Sequence, residues 1–312
     1  MNKFDIYVDS GTNIPDEYVR KHNIGVIPYS CTVNGELRLC YEKDGSFIDT
    51  AKKYYDDLRG GADIKTSLIG EEKFIEYVTP SLEKGRDVMI FTISSGISGT
   101  YNQAMNAKAE LEKKFPDCKI FVCDTANASM GSGLQVLKVA NLRDMGESAE
   151  TCAKWVETNA YKFNSYATVA DLKYLRKGGR ISTTLAIAGT ILNIKPILRA
   201  NGETPAKLVF FAKERGRKKA LLALANAYSE NAENFDFPVS ICHADCEDDA
   251  NELAAMIKER GAKEVIIEYY DLCTGTHVGP GTVALFFYGK DRRAAAPMAE
   301  KSPQGKTATQ KY

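Results

Sequence analysis

The stretch Val88-Met-Ile-Phe-Thr-Ile93 is apolar almost throughout, and it leads through Ser94-Ser-Gly-Ile-Ser-Gly-Thr100 into a segment of helical period, Tyr101–Phe115. An apolar run followed by hydroxyls and glycines and then by a helix is typical of a buried strand that turns into a helix. The same succession recurs along the chain. The sequence therefore predicts alternating strands and helices, which pack as α/β layers.

Apolar runs bounded by turn residues mark the other predicted strands. They are Phe4–Val8, Val26–Tyr29, Ile120–Cys123, Tyr166–Ala170, Leu208–Phe211, Val239–Cys242, Val265–Tyr269 and Val283–Phe287. Segments of helical period lie between several of them: Glu72–Leu82, Ser129–Asp144, Ala149–Tyr161, Arg217–Ser229 and Asp248–Arg260.

The length of 312 residues exceeds what one hydrophobic core usually serves, so two domains are expected. The boundary is placed where the predicted helix containing Trp155 ends, giving domains over residues 1–163 and 164–290. Residues 291–312 lose apolar periodicity and are rich in alanine, lysine and small polar residues, so they are predicted to form a flexible tail.

Charge and composition argue against several classes of function. Lysine plus arginine and aspartate plus glutamate both number 41, so no net charge attracts nucleic acid or an acidic membrane. The start of the chain carries no secretory pattern and no window is long enough to span a bilayer, which predicts a cytoplasmic protein.

The eight cysteines are scattered through apolar runs, which is typical of reduced, mostly buried thiols. Cys242-His243-Ala-Asp-Cys246 could form part of a metal site. A second ligand pair is missing, however, and Cys242 ends an apolar strand, so a structural role is favoured and no metal or other cofactor is predicted.

The turn after Val88–Ile93 is the clearest candidate site. Open α/β sheets bind ligands where strands end, glycines let the backbone approach a ligand, and the hydroxyls of Ser94 and Ser95 can donate to a carboxylate or phosphate. A plain turn with Ser98 as helix N-cap is the alternative. The pattern is not a phosphate loop, a dinucleotide fingerprint or a Gly-x-Ser-x-Gly nucleophile elbow.

Four further stretches carry polar or charged residues of possible functional importance. Thr66-Ser67 closes a glycine-containing loop before a helix, and its hydroxyls either cap that helix or reach a ligand. His277 stands alone in Thr274-Gly-Thr-His-Val-Gly-Pro-Gly281, predicted to be a loop, where its imidazole can donate to an anion. Arg176, Arg180 and Arg215 lie in basic clusters that either are solvated surface or face an acidic or phosphate-bearing partner.

Taken together, these motifs resemble the DegV family over residues 4 to 290. The resemblance rests on Asp9-Ser10, Thr66-Ser67, Ile93–Tyr101, Asp124-Thr-Ala-Asn-Ala-Ser-Met-Gly131, Leu172-Lys-Tyr-Leu-Arg-Lys-Gly-Gly-Arg-Ile-Ser182, Leu192-Asn-Ile-Lys-Pro-Ile197, Gly216-Arg-Lys-Lys-Ala220, His243-Ala-Asp245 and Gly275-Thr-His-Val-Gly-Pro-Gly281. One departure is that Ser67 is followed by Leu68-Ile-Gly70, where the family usually continues with Gln-Pro.

The resemblance implies a bacterial fatty-acid-binding protein with two α/β domains and an acyl chain buried at their junction. It implies that Thr66, Ser95 and His277 hold the carboxylate, with Ser67 and Ser94 as secondary candidates. Several members of the family look like the subunit that presents an acyl chain to a separate ATP-using kinase subunit. The expected partners are therefore a long-chain fatty acid and such a kinase, and no catalysis is expected from the chain alone.

Two alternatives remain open at the level of sequence. Ser95 could be the nucleophile of a hydrolase or acyltransferase with His277 as its base, although no acidic residue is an evident orienting partner for that histidine. A ligand sensor with a purely regulatory role is the other.

Overall fold

The computed structural model describes residues 4–41, 46–181 and 193–294. The first part of the chain contains β1 (Phe4–Asp9), α1 (Asp16–Lys21), β2 (Ile24–Ile27), β3 (Ser30–Val33), β4 (Glu36–Leu39), α2 (Ser46–Arg59), β5 (Ile64–Ser67), α3 (Glu71–Leu82), β6 (Asp87–Thr92), α4 (Thr100–Lys114), β7 (Ile120–Asp124), α5 (Met130–Asp144) and α6 (Ala149–Asn159). The second part contains β8 (Phe163–Thr168), α7 (Lys173–Lys177), β9 (Ile194–Ala200), β10 (Leu208–Arg215), α8 (Arg217–Asn231), β11 (Val239–His243), α9 (Glu247–Glu259), β12 (Val265–Tyr269), α10 (Leu272–Val278) and β13 (Val283–Tyr288).

A parallel four-stranded sheet with the order β2-β1-β6-β7 forms the first layer. Its central strand β6 is buried along nearly its whole length, which explains the almost continuous apolar run of its sequence. The polar turn after β6 therefore lies at the carboxyl edge of the sheet, next to the ends of β1 and β7.

A mixed six-stranded sheet with the order β10-β9-β8-β13-β11-β12 forms the second layer. Helices α8 and α9 cover one face of it. Helix α5 packs against strands of both large sheets, and it is buried on nearly every side, as its sequence of small and apolar residues requires. The two-domain α/β fold predicted from the sequence is confirmed.

A small antiparallel sheet, β4-β3-β5, was not predicted. Its hairpin turns at Asn34-Gly35, where both residues have a positive φ of 51° and 89°. Asn-Gly is a strong sequence signal for such a turn, but the strands beside it are short and β4 is exposed on both faces, so no hydrophobic alternation marks them. Thr66 and Ser67 lie on β5 and not in a loop.

The predicted boundary between residues 163 and 164 falls where β8, a strand of the six-stranded sheet, begins. It stays a prediction, because one core cluster contains residues of both parts, from Phe4 to Phe286.

The predicted tail needs correction over residues 291–294. There Arg292 is only 7% exposed and donates to the carbonyl oxygens of Asn201 and Ala126. Residues 295–312 lie outside the described residues.

Candidate functional site

A cavity of about 300 Å³ lies between the two large sheets, with β5 and α10 closing one part of it. Its size is that of a small ligand site. Apolar atoms provide most of its surface, and a few polar side chains from distant parts of the sequence meet at one place. We call these two parts the apolar wall and the polar corner.

On the six-stranded sheet, the apolar wall includes Ala167 of β8 and Ala284 and Phe286 of β13. Ala167 and Ala284 are directly paired in the antiparallel register, and Phe286 follows two residues later on the same face of its strand. These two alanines lie side by side on one face of the sheet, and their small side chains leave room that larger side chains would fill. The space for a ligand is thus a property of the sheet register.

The polar corner consists of Thr66, Arg180 and His277. The Thr66 hydroxyl and His277 Nε2 lie 2.9 Å apart and form a hydrogen bond, in which the donor depends on the tautomer of the imidazole. The guanidinium of Arg180 lines the same cavity, and its Nε donates to the Ile97 carbonyl oxygen at 3.3 Å. The sequence assigned Arg180 to a partner-facing or phosphate-facing surface near the pocket mouth, and this stays a prediction; the structure places Arg180 near His277.

His277 lies on helix α10, which corrects the prediction of a glycine loop. The carboxylate of Asp271 caps the helix by accepting from the backbone N–H groups of Cys273 and Thr274. Gly275 is a helical residue whose missing side chain makes room for Tyr55, because an added Cβ would lie 2.4 Å from its hydroxyl. The glycines of this segment allow close packing as well as turns, so a glycine-rich composition alone did not distinguish a helix from a loop.

Two tyrosines of α2 hold this helix in place. The hydroxyls of Tyr54 and Tyr55 donate to the carbonyl oxygens of Leu272 and Tyr270, at 2.8 and 2.9 Å. On the other side of the imidazole, a Cβ at Gly178 would lie only 2.2 Å from His277 Nδ1. The position of His277 is therefore fixed from both sides.

Burial lowers the pKa of His277 to about 4, and the positive charge of Arg180 contributes in the same direction. The imidazole is consequently neutral near pH 7. A carboxylate placed between Arg180 and His277 would reverse this balance, because an opposite charge favours the protonated ring.

The serines after β6 differ in what they face. Ser94 is buried, lines the cavity and donates to the Ala206 carbonyl oxygen at 2.7 Å. Ser95 does not line the cavity; its hydroxyl donates to Asp124 Oδ2 at 2.5 Å. Ser98 lines the cavity, and its hydroxyl accepts from the Thr100 backbone N–H at 3.3 Å, although the N-cap residue of α4 is Gly99.

Ser67 lines the cavity beside Thr66 and is exposed. Neither residue caps α3, whose N-cap is Gly70. Arg176 is exposed on α7, and Arg215 is exposed at the end of β10. Arg215 is seven residues along β10 from the cavity-lining Leu208, roughly 20 Å in an extended strand. Of the three predicted arginines, only Arg180 reaches the cavity.

Sequence reasoning missed Tyr29 and gave Asp9 no role in the site. Tyr29 lines the cavity, and its hydroxyl lies 3.3 Å from Asp9 Oδ2 and 3.4 Å from the Ser98 hydroxyl. Asp9 also accepts from the Ile93 backbone N–H at 2.8 Å, and burial raises the pKa of this carboxyl to about 7. The available signal was an aspartate at the end of the first strand, which alone does not reveal its contacts.

Residues of the Cys242–Cys246 segment are engaged in packing and in hydrogen bonds. Cys242 is buried and accepts from the Ser129 hydroxyl at 3.3 Å, and burial raises the pKa of the Cys242 thiol to about 12. Burial lowers the pKa of His243. Within residues 4–41, 46–181 and 193–294, no group of three or more histidine, cysteine or acidic side chains is arranged to hold a metal. In the same ranges, no helix combines the length and apolar character needed to cross a membrane.

The geometry does not favour a serine hydrolase. A Ser–His mechanism requires a hydrogen bond from the nucleophile to the base. Here Ser95 bonds to Asp124, and His277 Nε2 bonds to Thr66. The arrangement is instead suited to holding a ligand that has an anionic head and an apolar body.

The fold and the cavity define a class of two-domain α/β proteins with an apolar ligand cavity and a polar corner between the domains. The sequence model described as "Uncharacterised protein, DegV family" matches residues 3–290. The chain therefore belongs to the DegV family.

Similar proteins match over almost their entire length. A DegV domain-containing protein of Clostridium perfringens is 35% identical over 297 residues, which cover 93% of this chain and 98% of the relative. A solved DegV lipid-binding protein from Thermotoga maritima has a TM-score of 0.80 at 28% identity and covers 93% of this chain and 99% of its own. A fatty-acid-binding DegV protein from Thermus thermophilus has a TM-score of 0.81 at 26% identity, covering 92% and 100%.

Proposed function

We propose that this protein binds a long-chain fatty acid, with the acyl chain along the apolar wall and the carboxylate in the polar corner. The observation that carries the proposal is the apolar cavity between the sheets that contains the Thr66–His277 pair. The binding of lipid or fatty acid by the similar proteins from T. maritima and T. thermophilus supports it.

The energetics of such a ligand fit this division of the cavity. Each buried methylene contributes roughly 0.8 kcal/mol, so a long chain supplies most of the affinity. Charge-assisted hydrogen bonds to a carboxylate contribute less, but they fix its position. Thr66, His277 and Arg180 are the groups that we assign to this task, with Ser94 and Ser98 lining the same cavity.

Ser95 was assigned to the carboxylate by resemblance, and its contact with Asp124 makes this the weakest of those assignments. Rotation of the hydroxyl away from Asp124 would be required before it could donate to a ligand. We retain Ser95 as a residue to be tested and expect Ser94 or Ser98 to be the serine nearer to the head group.

We further propose that the protein performs no catalysis alone, requires no cofactor and works in the cytoplasm, where it presents the carboxylate to an ATP-using kinase subunit. The eight cysteines are free thiols, which suits a reducing compartment. Arg176 lies on α7, and the residue after that helix, Gly178, touches His277. An exposed cation is thus placed close to the polar corner, where a partner would approach.

Native mass spectrometry of the protein purified from bacterial cells tests the binding proposal. We expect a mass increase equal to one fatty acid, which lipid extraction then identifies. If the protein carries no lipid and also fails to bind added palmitate or oleate, the proposal is wrong.

Charge reversal tests the kinase proposal separately. Arg176→Glu should leave fatty acid binding unchanged and reduce acyl-phosphate formation by an added kinase subunit. Arg215→Glu is the second arm, because both arginines were assigned to the partner but only Arg176 lies on the helix beside the corner. Equal loss of binding and of coupling would make these arginines structural.

A further inference from the structure

A second cavity, of about 180 Å³, lies beside the six-stranded sheet. Tyr166 and Arg199 line it, and they are paired residues on β8 and β9. Tyr166 belongs to the core cluster under α8, whereas its neighbour Ala167 belongs to the core between the sheets. Tyr166 and Ala200 line both cavities, whereas the cations of the second cavity line only that one.

Positive charge dominates the lining of this cavity. Arg199, Lys290 and Arg292 contribute to it, and Asp291 is the carboxylate among its described residues. That carboxylate is already engaged, because Arg293 donates to both of its oxygens at 2.6 to 3.2 Å. Among the described residues, no salt bridge pairs Arg199, Lys290 or Arg292 with a carboxylate.

Arg292 is the most constrained of these cations. It is 93% buried, since 7% of it is exposed, and its two terminal nitrogens donate to backbone carbonyl oxygens at 2.6 and 2.8 Å. Its Nε is buried and has no hydrogen-bond partner among the described residues. A buried guanidinium with a free donor and no paired carboxylate is costly, and structures satisfy such groups with an anion or with water.

Arg199 adds a second guanidinium at the same cavity. It stacks on the Phe211 ring with its central carbon 5.0 Å from the ring centroid, and no ion pair of the described residues includes it. The ring and the adjacent Tyr166 hold the guanidinium in place without neutralising it. Arg199 can thus offer its guanidinium to an oxyanion, and Arg292 adds its unpaired Nε donor at the same cavity.

We propose that this second cavity binds a small tetrahedral oxyanion of the phosphate or sulfate class, held by Arg199 and Arg292 with Lys290 at the rim. These three cations do not line the first cavity, although Tyr166 and Ala200 line both cavities, and the proposal does not depend on lipid binding. The two cavities are also mechanically connected, because Arg292 donates to the carbonyl oxygen of Ala126, which lines the fatty acid cavity.

Thermal unfolding and calorimetry of the whole protein in sodium phosphate test the proposal, with sodium sulfate as a second oxyanion and sodium chloride at equal ionic strength as reference. A ligand that binds the native state raises the melting temperature in a saturable way. We expect saturable stabilisation by phosphate or sulfate beyond that by chloride, and at least a tenfold weaker affinity in Arg199→Gln.

Lys219→Gln is the matched control, because it removes one positive charge from an exposed position of α8 outside the cavity. Its phosphate affinity should equal that of the unmodified protein. Lys290→Gln provides a second test at the rim if Arg199→Gln fails to fold. Oxyanions no more effective than chloride, or equal affinity in the cavity variants and in Lys219→Gln, would overturn the proposal.

Discussion

The apolar wall and the polar corner of the main cavity are built in opposite ways. Ala167, Ala284 and Phe286 stand on two neighbouring strands, and one register sets all three positions. Thr66, Arg180 and His277 come from a short edge strand, a turn and a helix that are distant in the sequence. This part of the wall is thus set within one sheet, whereas the corner exists only when distant parts of the chain are folded together.

The comparison indicates that the wall and the corner contribute differently to the binding of the proposed ligand. The wall buries apolar surface of the proposed fatty acid, so its contribution to affinity grows with the length of the acyl chain. The corner offers a few donors, so its contribution is small but directional. Changes in the wall should therefore weaken binding most, while changes in the corner should misplace a ligand that still binds.

The largest effect is expected from Ala284→Phe. Its ring would fill the space facing Ala167 and displace about four methylenes at roughly 0.8 kcal/mol each, which is about 3 kcal/mol or 100-fold in affinity. Titration with a fluorescent fatty acid measures it. Ala109→Phe, on the exposed face of α4, is the control and should bind normally. Stoichiometric fatty acid in purified Ala284→Phe would contradict the assignment of the wall.

His277→Ala should have the next largest effect. It removes one charge-assisted bond to the carboxylate, worth on the order of 1.5 to 3 kcal/mol, while the burial of the chain remains. Acyl-phosphate formation by a partner kinase should fall more steeply, because a misplaced carboxylate is also penalised in the transfer geometry. If affinity and coupled activity both match the unmodified protein, His277 is a bystander and the head group lies elsewhere.

The same two regions show how far sequence reasoning reaches. The strands of the wall and the turn after β6 were predicted, because buried strands have a strong apolar signal. The flanking serines were found, but which of Ser94, Ser95 and Ser98 faces the cavity depends on backbone rotation within the turn, which no pattern encodes. Thr66 was identified as either a helix cap or a ligand contact, and His277 as a residue without an evident folding role, although the elements predicted for them were wrong.

Arg180 shows the limit more clearly. Its place in the corner depends on how the segment after α7 folds back on α10, a contact between residues almost a hundred positions apart. The hairpin at Asn34-Gly35 was a missed signal, since the dipeptide is visible in the sequence. The burial of Arg292 was not foreseeable, because the residues around it are small, polar and without periodicity.

The corner also predicts a pH dependence of the stability of the ligand-free protein. The pKa of His277 is about 4 in the folded protein and 6.5 in the unfolded chain, so the unfolded chain binds the proton more readily. The contribution of the neutral imidazole to the free energy of unfolding is complete above pH 6.5 and is lost as the pH falls towards 4. We expect about 2 kcal/mol over this interval, reduced from the full shift because the ring is only partly enclosed.

Urea denaturation of the unmodified protein and of His277→Gln between pH 4 and 7 measures this contribution. Subtracting one pH profile of the free energy of unfolding from the other separates the contribution of His277 from that of Asp9. The raised pKa of Asp9, about 7, makes its contribution to stability change with pH in the opposite direction. Parallel pH profiles would show that the histidine does not titrate as the buried corner requires.

The smallest effects distinguish hydroxyls within the corner. Thr66→Val keeps the shape of the side chain and removes the bond to His277, which should reduce fatty acid affinity by about 1 kcal/mol. Ser95→Ala should change affinity by less, because its hydroxyl is directed to Asp124. Isothermal titration of both variants sharpens the comparison, and a larger loss in Ser95→Ala would restore that serine to the head-group site.

The most direct test of the account is a crystal structure of the protein loaded with a long-chain fatty acid. The account predicts one acyl chain against Ala167, Ala284 and Phe286, with its carboxylate within about 3.2 Å of the Thr66 hydroxyl and of His277 Nε2. A chain bound outside this cavity, or one whose carboxylate lies away from Thr66 and His277, would contradict it.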